Sequence, residues 1–163
     1  MVSHFSSDKL SVKQLSCIQL FTGFDQEDFK TLSNIIRVKE FEKGSCIINE
    51  GDNAQKVYFI LEGAAKVYKT NYKGKGELVG NLQDGHCFGE MAFMDHGHRS
   101  ATVVADTDIV VAEFDWNDFC SAFMEKPLIV VQIFKNFAHN LSLRLRRANA
   151  VYSYLAYNSQ NIP

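Results

Sequence analysis

The pattern of hydrophobic and polar positions changes type twice along the chain, from helical to strand-like and back to helical. Near the N-terminus, Asp25 precedes apolar residues at helical spacing, and Phe24 and Phe29 flank the start of that segment. A polar cap followed by an apolar stripe predicts an amphipathic helix. With a shorter helix expected before it, the N-terminal helical segment covers about residues 11–36.

Short segments rich in β-branched and aromatic residues follow over about residues 37–114. Glycine-containing turns separate them, as at Gly51, Gly63 and Gly85. Short strands at turn-punctuated intervals are typical of double-sheet and barrel folds. The segments predicted as strands are 57–61, 65–72, 78–82, 102–105 and 109–114.

Helical patterning returns after residue 114, with Asp115 and Pro127 at the expected helix starts and helices over about 115–150. In the second helix, apolar residues spaced 3, 4, 3 and 4 apart match two heptads of a coiled-coil seam. Two interpretations stay open, because this seam can pack on its own domain or form a homodimer with a second copy. The tyrosine-containing tail is expected to be weakly ordered. The seam consists of Val131, Phe134, Ala138, Leu141 and Leu145.

Length and composition fit a single domain over residues 1–163, mainly β with flanking helices (α+β). The chain is 46% hydrophobic and 22% charged, which suits one soluble core. We expect no signal peptide and no membrane insertion, because no apolar run is long enough. Four cysteines without a CxxC pair favour reduced thiols and a cytoplasmic location.

The charge distribution is uneven, although the net charge is only −2. Residues 126–163 contain five basic and no acidic residues, so the first 125 residues carry −7. Basic residues near a helix C-terminus interact favourably with the helix dipole. Since nothing resembles a helix-turn-helix, we expect no nucleic-acid partner.

One segment, residues 88–103, concentrates groups that bind anions and hydroxyls. Gly89 permits close backbone approach, Arg99 supplies a planar charged fork, and Ser100 adds a hydroxyl. A short helical turn after Glu90 would present backbone N–H groups to an anion. Glu90 itself would repel a phosphate, so the combination suits a ligand that carries both a phosphate and hydroxyl groups.

The run F-G-E-M-A-F, followed by R-S-A-T-V, resembles the phosphate-binding cassette of the cyclic nucleotide-binding domain family. Glu90 and Arg99 are nine residues apart, the usual interval, and the resemblance extends over about residues 15–147. It implies an eight-stranded double-sheet jelly roll with N-terminal helices and a C-terminal lid helix. It also implies a sensor or regulatory module that binds cAMP or cGMP. His98 stands where the family often has proline, which puts the rigidity of that loop in question.

The resemblance also assigns roles to individual positions. Glu90 would bind the ribose 2′-hydroxyl, and Arg99 would pair with the cyclic phosphate. Ligand binding would then draw the C-terminal helix over the base, with Arg144 or Leu145 as the lid residue. The residues expected at the phosphate and ribose are Gly89, Glu90, Met91, Ala92, Arg99, Ser100 and Ala101. Those expected along the apolar wall of the base pocket are Val67, Val79, Leu82 and Phe88.

Other classes of function find less support. His86 and the His96–His98 pair suggest a cupin-type metal site, but Glu113 is the next glutamate after them, so we expect exposed loop histidines and no metal. We expect no enzyme, because no nucleophile lies beside a base in a recognised motif. The alternatives are a ligand-independent protein-interaction module of the same fold, or the sensor half of a larger transcription regulator, channel or kinase. The downstream effector protein is unknown.

Overall fold

The computed structural model describes residues 10–53, 55–94 and 97–160 of the chain. The N-terminal segment folds into two helices joined by a 3-10 turn. Asp25 caps the second helix by accepting from the Asp28 backbone N–H at 2.8 Å, and the rings of Phe24 and Phe29 lie 6.0 Å apart, as the capping pattern predicts. The elements are α1 (Val12–Ser16), the 3-10 turn (Gln19–Phe21) and α2 (Gln26–Ile35).

Eight strands follow in the described ranges and form two antiparallel four-stranded sheets, which together we call the β-roll. The order is β1-β8-β3-β6 in the first sheet and β2-β7-β4-β5 in the second, so the predicted eight-stranded jelly roll is confirmed. All five predicted strands are present with ends shifted by at most two residues. The strands are β1 (Arg37–Phe41), β2 (Cys46–Ile48), β3 (Lys56–Glu62), β4 (Ala64–Thr70), β5 (Gly76–Gln83), β6 (Cys87–Phe88), β7 (Thr102–Ala105) and β8 (Ile109–Asp115).

The first sheet is covered on both faces, which divides the core into two clusters. Phe59 and Phe114 point towards the helices, while Ile60 and Val111 point into the space between the sheets. Strand β8 is therefore buried from residue 109 to 114, and its first four residues are all apolar, because both sets of alternating side chains are covered. The second sheet forms one wall of the candidate site.

The described part of the chain contains three further helices: α3 (Met91–Met94), α4 (Trp116–Ala122) and α5 (Pro127–Gln160). Asp115 caps α4 by accepting from the Asn117 N–H at 2.8 Å, and Pro127 begins α5, as predicted. Helix α5 does not end near residue 150, because it contains no glycine or proline after its first residue. Its 34 residues span about 51 Å, and the tail expected to be weakly ordered is helical.

Helix α5 packs on the domain through a face other than the predicted seam. Ile133 and Phe137 are fully buried against the N-terminal helices, and the Asn136 side chain donates to the Leu20 and Thr22 carbonyls at 2.6 and 3.0 Å. The interpretation that the seam packs on its own domain is therefore wrong. Residues four apart turn the helix by only about 40°, so Ile133 and Phe137 share a face that the 3-4 spacing does not contain.

No helix within the described ranges combines the length and the apolar character needed to cross a bilayer.

Truncation of a side chain should reduce the stability of the protein by different amounts on the two faces of α5. Phe137→Ala should lower the free energy of unfolding by about 3–5 kcal/mol, because it leaves a cavity in the core. Phe134→Ala, the matched control one turn earlier, should cost about 1 kcal/mol, since this ring is partly exposed against the edge of Trp116. Urea unfolding followed by circular dichroism measures both, and equal losses would contradict this assignment of faces.

Candidate functional site

A pocket opens between the second sheet, the segment around residues 88–101 and helix α5. Its empty space, counted out into the open mouth, is about 400 Å³. One side is apolar, and the other carries a carboxylate, two guanidinium groups and a hydroxyl. The lining residues are Ile48, Val67, Leu82, Phe88, Gly89, Glu90, Met91, Arg99, Ser100, Ala101, Val103 and Arg144.

Arg99 is a buried cation whose orientation is set by backbone carbonyls. Its two terminal nitrogens donate to the carbonyls of Gly89 at 2.7 Å and of Lys56 at 2.8 Å, although the residue is only 4% exposed. The guanidinium also lies 5.9 Å from the centre of the Tyr58 ring, a cation–π distance. Because a guanidinium carries five N–H donors, these contacts hold its plane and leave donors for an anion in the pocket.

Gly89 is the residue that makes room for this arrangement. Its φ of +80° lies in the left-handed region, which L residues rarely adopt. A Cβ at this position would lie 2.7 Å from the Arg99 Nη1 and 3.0 Å from the Lys56 oxygen. The glycine predicted from the motif is therefore required both by its backbone conformation and by the guanidinium beside it.

Glu90 presents a carboxylate that is almost completely buried, with 3% of the residue exposed. Its Oε1 accepts from Nη1 of Arg144 at 2.6 Å, so helix α5 contacts the cassette directly. Burial raises the pKa of the Glu90 carboxyl, while Arg144 and, more weakly, Arg99 act to lower it. The carboxylate is thus held between two cations, and it can accept a hydrogen bond from a ligand hydroxyl.

Ser100 follows Arg99 and is supported from the second sheet. Its carbonyl accepts from Nζ of Lys69 at 2.7 Å, and Lys69 also pairs with Glu50 at 2.6 Å. The bonds from Lys69 and from the Thr70 N–H lower the pKa of Glu50 to about 2. The Ser100 hydroxyl lies 3.6 Å from the sulfur of Met91, beside the pocket.

Most of the predicted site residues meet at this pocket. Ala92 lies in α3, where the structure describes only its backbone. Val79 and Leu145 are not brought to the pocket, since they are 59% and 61% exposed. Leu82 faces inward on β5, whereas the register of the β4–β5 pair shifts at Val79, since Val67 lies opposite Gly80 and Tyr68 opposite Leu78. Leu145 is rotated by about 100° from Arg144 around α5. The predicted residues that line it are Val67, Leu82, Phe88, Gly89, Glu90, Met91, Arg99, Ser100, Ala101 and Arg144.

Sequence reasoning missed the groups that support these residues. The Lys56 carbonyl, the Tyr58 ring and the Glu50–Lys69 pair act through contacts that join distant parts of the chain. No motif signals a backbone carbonyl or a pair across strands. Ile48 and Val103, on β2 and β7, likewise line the pocket without a motif of their own.

The histidines considered as metal ligands do not gather in the described part of the chain. Nδ1 of His86 accepts from the Gln83 backbone N–H at 3.0 Å, His98 is exposed, and His96 lies outside the described residues. No group of three histidine, cysteine, aspartate or glutamate side chains in the described ranges could hold a metal ion.

Comparison with known proteins places these features in one family. Residues 38–126, more than half of the chain, match the model of the cyclic nucleotide-binding domain. The chain is 28% identical over 138 residues to the cyclic AMP receptor protein of Thermus thermophilus, covering 85% of this chain and 62% of that protein. It is 33% identical over 93 residues to the cAMP-dependent protein kinase regulatory subunit of Mycosarcoma maydis, covering 57% of this chain and 18% of that one.

Solved structures agree with the sequence comparisons. The catabolite activator protein of Thermus thermophilus superposes with a TM-score of 0.69 at 27% identity, over 85% of this chain and 63% of that one. This chain thus spans less than two thirds of these relatives. The eight-stranded roll, the Gly89-Glu90 and Arg99-Ser100 elements at one pocket and the matched family model together mean that the chain belongs to the cyclic nucleotide-binding domain family.

Proposed function

We propose that this chain is a sensor that binds a cyclic mononucleotide in the pocket and transmits its occupancy through α5. The observation that carries the proposal is the convergence of Arg99, Glu90 and Ser100 on one cavity beside an apolar wall. A buried arginine fork suits a phosphate, a buried carboxylate suits a sugar hydroxyl, and an apolar wall suits a base. The names of both curated relatives contain cAMP or cyclic AMP, so cAMP is the first ligand to test and cGMP the second.

Each group has a distinct proposed task. Arg99 pairs with the cyclic phosphate, which Ser100 and the backbone amides of Ala92 and Ala101 also bind. Glu90 accepts from the ribose 2′-hydroxyl, and α5 closes the base side with Arg144 at the pocket. The apolar wall near the base and sugar consists of Val67, Leu82 and Phe88.

Binding without chemistry is favoured over catalysis. The hydroxyl at the pocket belongs to Ser100, and its described contact is the sulfur of Met91, not a base that could activate it. The named relatives are a receptor and a regulatory subunit, which also supports a regulatory role. The signal would pass to an effector, either another part of a longer regulator or a separate protein.

The phosphate assignment predicts a large difference between neighbouring residues. Arg99→Ala should weaken binding of cAMP and cGMP by about 100-fold or more, because charge-assisted hydrogen bonds are lost from a buried site. His98→Ala should change affinity less than threefold, since this side chain is exposed. Isothermal titration calorimetry on the purified chain measures both.

Arg99→Lys keeps the positive charge but loses the planar guanidinium. This variant replaces Arg99→Ala in the test if Arg99→Ala does not fold. We expect Arg99→Lys to bind the nucleotides more weakly than the wild type and more tightly than Arg99→Ala. If Arg99→Ala and His98→Ala weaken binding equally, the assignment of the phosphate to Arg99 is wrong. No heat and no thermal shift with either nucleotide up to millimolar concentration would overturn the proposed function.

We also propose that α5 pairs with a second copy of this chain. The predicted seam continues in the same register through Ala148 and Tyr152, and Val131, Leu145 and Tyr152 are exposed along it. Apolar residues at 3-4 spacing over three heptads are the pattern of a two-stranded coiled coil. In a parallel pair, Arg144 would lie opposite Asn149 of the other copy, so the flanking positions place no like charges together.

The dimer has a matched pair of test variants two residues apart. Leu145→Asp puts a charge in the seam and should convert a dimer to a monomer, because a buried charge without a partner is costly. Leu143→Asp lies off the seam at a position that is also exposed, so it should leave the dimer intact. Light scattering coupled to size exclusion measures the mass. A monomeric wild-type chain, or equal effects of both variants, would overturn this assembly.

A further inference from the structure

The backbone of Arg99 and Ser100 is held on two sides by elements that are distant in the sequence. On one side, the turn after β2 bonds both backbone groups of Arg99. The Arg99 N–H donates to the Asp52 carbonyl, and the Gly51 N–H donates to the Arg99 carbonyl, each at 2.9 Å. On the other side, Nζ of Lys69 on β4 donates to the Ser100 carbonyl at 2.7 Å. The two neighbouring residues proposed to bind the phosphate are therefore fixed through their backbone as well as their side chains.

Glu50 joins these two sides into one network. Its Oε1 pairs with Nζ of Lys69 at 2.6 Å, and its Oε2 accepts from the Thr70 N–H at 2.8 Å. Its own N–H donates to Oγ1 of Thr102 at 3.0 Å, at the start of β7. Because Glu50 lies in the turn after β2, its carboxylate connects that turn to β4 beside the cassette.

We propose that Glu50 and Lys69 form a positioning pair for the phosphate-binding part of the site, which sets the direction of the Ser100 hydroxyl by fixing the Ser100 carbonyl. The inference rests on the proposed function. It adds to that function two residues that lie outside the pocket lining and act on the ligand through Ser100.

The direction of a serine side chain depends on the two peptide planes that meet at its Cα. The Arg99 carbonyl belongs to the plane before Ser100, and the Ser100 carbonyl belongs to the plane after it. Since each plane is rigid, holding both of them determines where the Cα–Cβ bond of Ser100 points. Gly51 holds the first plane and Lys69 holds the second. Without the bond from Lys69, the second plane can rotate and the hydroxyl loses its defined direction.

The carboxylate of Glu50 is what keeps Lys69 in place. The Lys69 side chain is 51% exposed, and a long side chain at the surface has many accessible rotamers. Glu50 is less exposed and is itself bonded to the β4 backbone at Thr70, so it offers the ammonium a fixed partner. Because the pKa of Glu50 is lowered to about 2, the pair stays ionised throughout the neutral pH range.

A purely electrostatic role of the two charges makes the opposite prediction for Glu50. Its carboxylate places a negative charge near the proposed phosphate position, so removing that charge should strengthen the attraction of an anionic ligand. If Glu50 instead holds Lys69 on the Ser100 carbonyl, removing its charge should weaken binding. The sign of the change therefore separates positioning from charge.

Calorimetry with cAMP tests the pair in two backgrounds, the wild-type chain and Ser100→Ala. Lys69→Met should weaken binding by about 3–10-fold in the wild type and by less than about twofold in Ser100→Ala, because it acts through Ser100. Glu50→Gln should weaken binding in the wild type by about 2–5-fold. Lys69→Arg keeps the charge and the donors, so it should retain the wild-type affinity within about twofold.

Lys66→Met is the matched control. Lys66 lies on the same strand and forms a similar pair with Asp106 at 2.8 Å, just after the opposite end of β7. This variant should change affinity by less than about twofold in both backgrounds, since its pair is far along the strand from Ser100. Thermal unfolding by circular dichroism shows which variants are folded, and Lys69→Gln replaces Lys69→Met if the latter is not.

The outcomes separate this inference from the proposed function. A loss with Lys69→Met that disappears in Ser100→Ala, together with weaker binding by Glu50→Gln, supports the positioning pair. If Lys69→Met binds like the wild type or weakens binding equally in both backgrounds, or if Glu50→Gln does not weaken binding, the pair is overturned and the sensor function stands. If the wild-type chain binds neither cAMP nor cGMP, both proposals fail together.

Discussion

The buried guanidinium of Arg99 imposes the main constraint on the site, because a charge that is only 4% exposed must be hydrogen-bonded on most sides. Two of its bonds reach the carbonyls of Lys56 on β3 and of Gly89 on the cassette, elements far apart in the sequence. The arginine therefore joins the cassette to the first sheet. It also explains the glycine at residue 89, since a Cβ there would lie 2.7 Å from the guanidinium. The positions of Glu90 and Ser100 depend on this junction, because each is a direct chain neighbour of one of the two residues.

Helix α5 connects this site to the rest of the molecule because its faces have different partners. One face buries Ile133 and Phe137 against the N-terminal helices, and its continuation carries Arg144 to Glu90. The seam that includes Val131 and Leu145 points away from the domain. A rigid helix with one face on the pocket and another available to a partner can transmit a local change in the site over tens of ångströms. The ion pair between Arg144 and Glu90 is a direct contact between this helix and the pocket.

The sequence was most informative where a local rule sufficed. Asp25 and Asp115 were identified as helix caps, and the β-branched runs were identified as strands, because capping and alternation depend only on near neighbours. Strands β1, β2 and β6 had no such signal, since β1 is a largely polar edge strand and the other two are three and two residues long. They exist because β8, β7 and β3 offer them hydrogen-bond partners.

By itself, the sequence determined the jelly-roll class, the family resemblance and the identity of the polar groups at the pocket, because the cassette lies within 16 consecutive residues whose spacing is a local property. Only the tertiary structure decided that Val79 and Leu145 face away and that Arg144 is the helix residue at the pocket. These outcomes depend on how a strand or helix is rotated against its neighbours. That rotation is set by packing between residues distant in sequence, such as Phe137 against the N-terminal helices, and periodicity alone does not contain it.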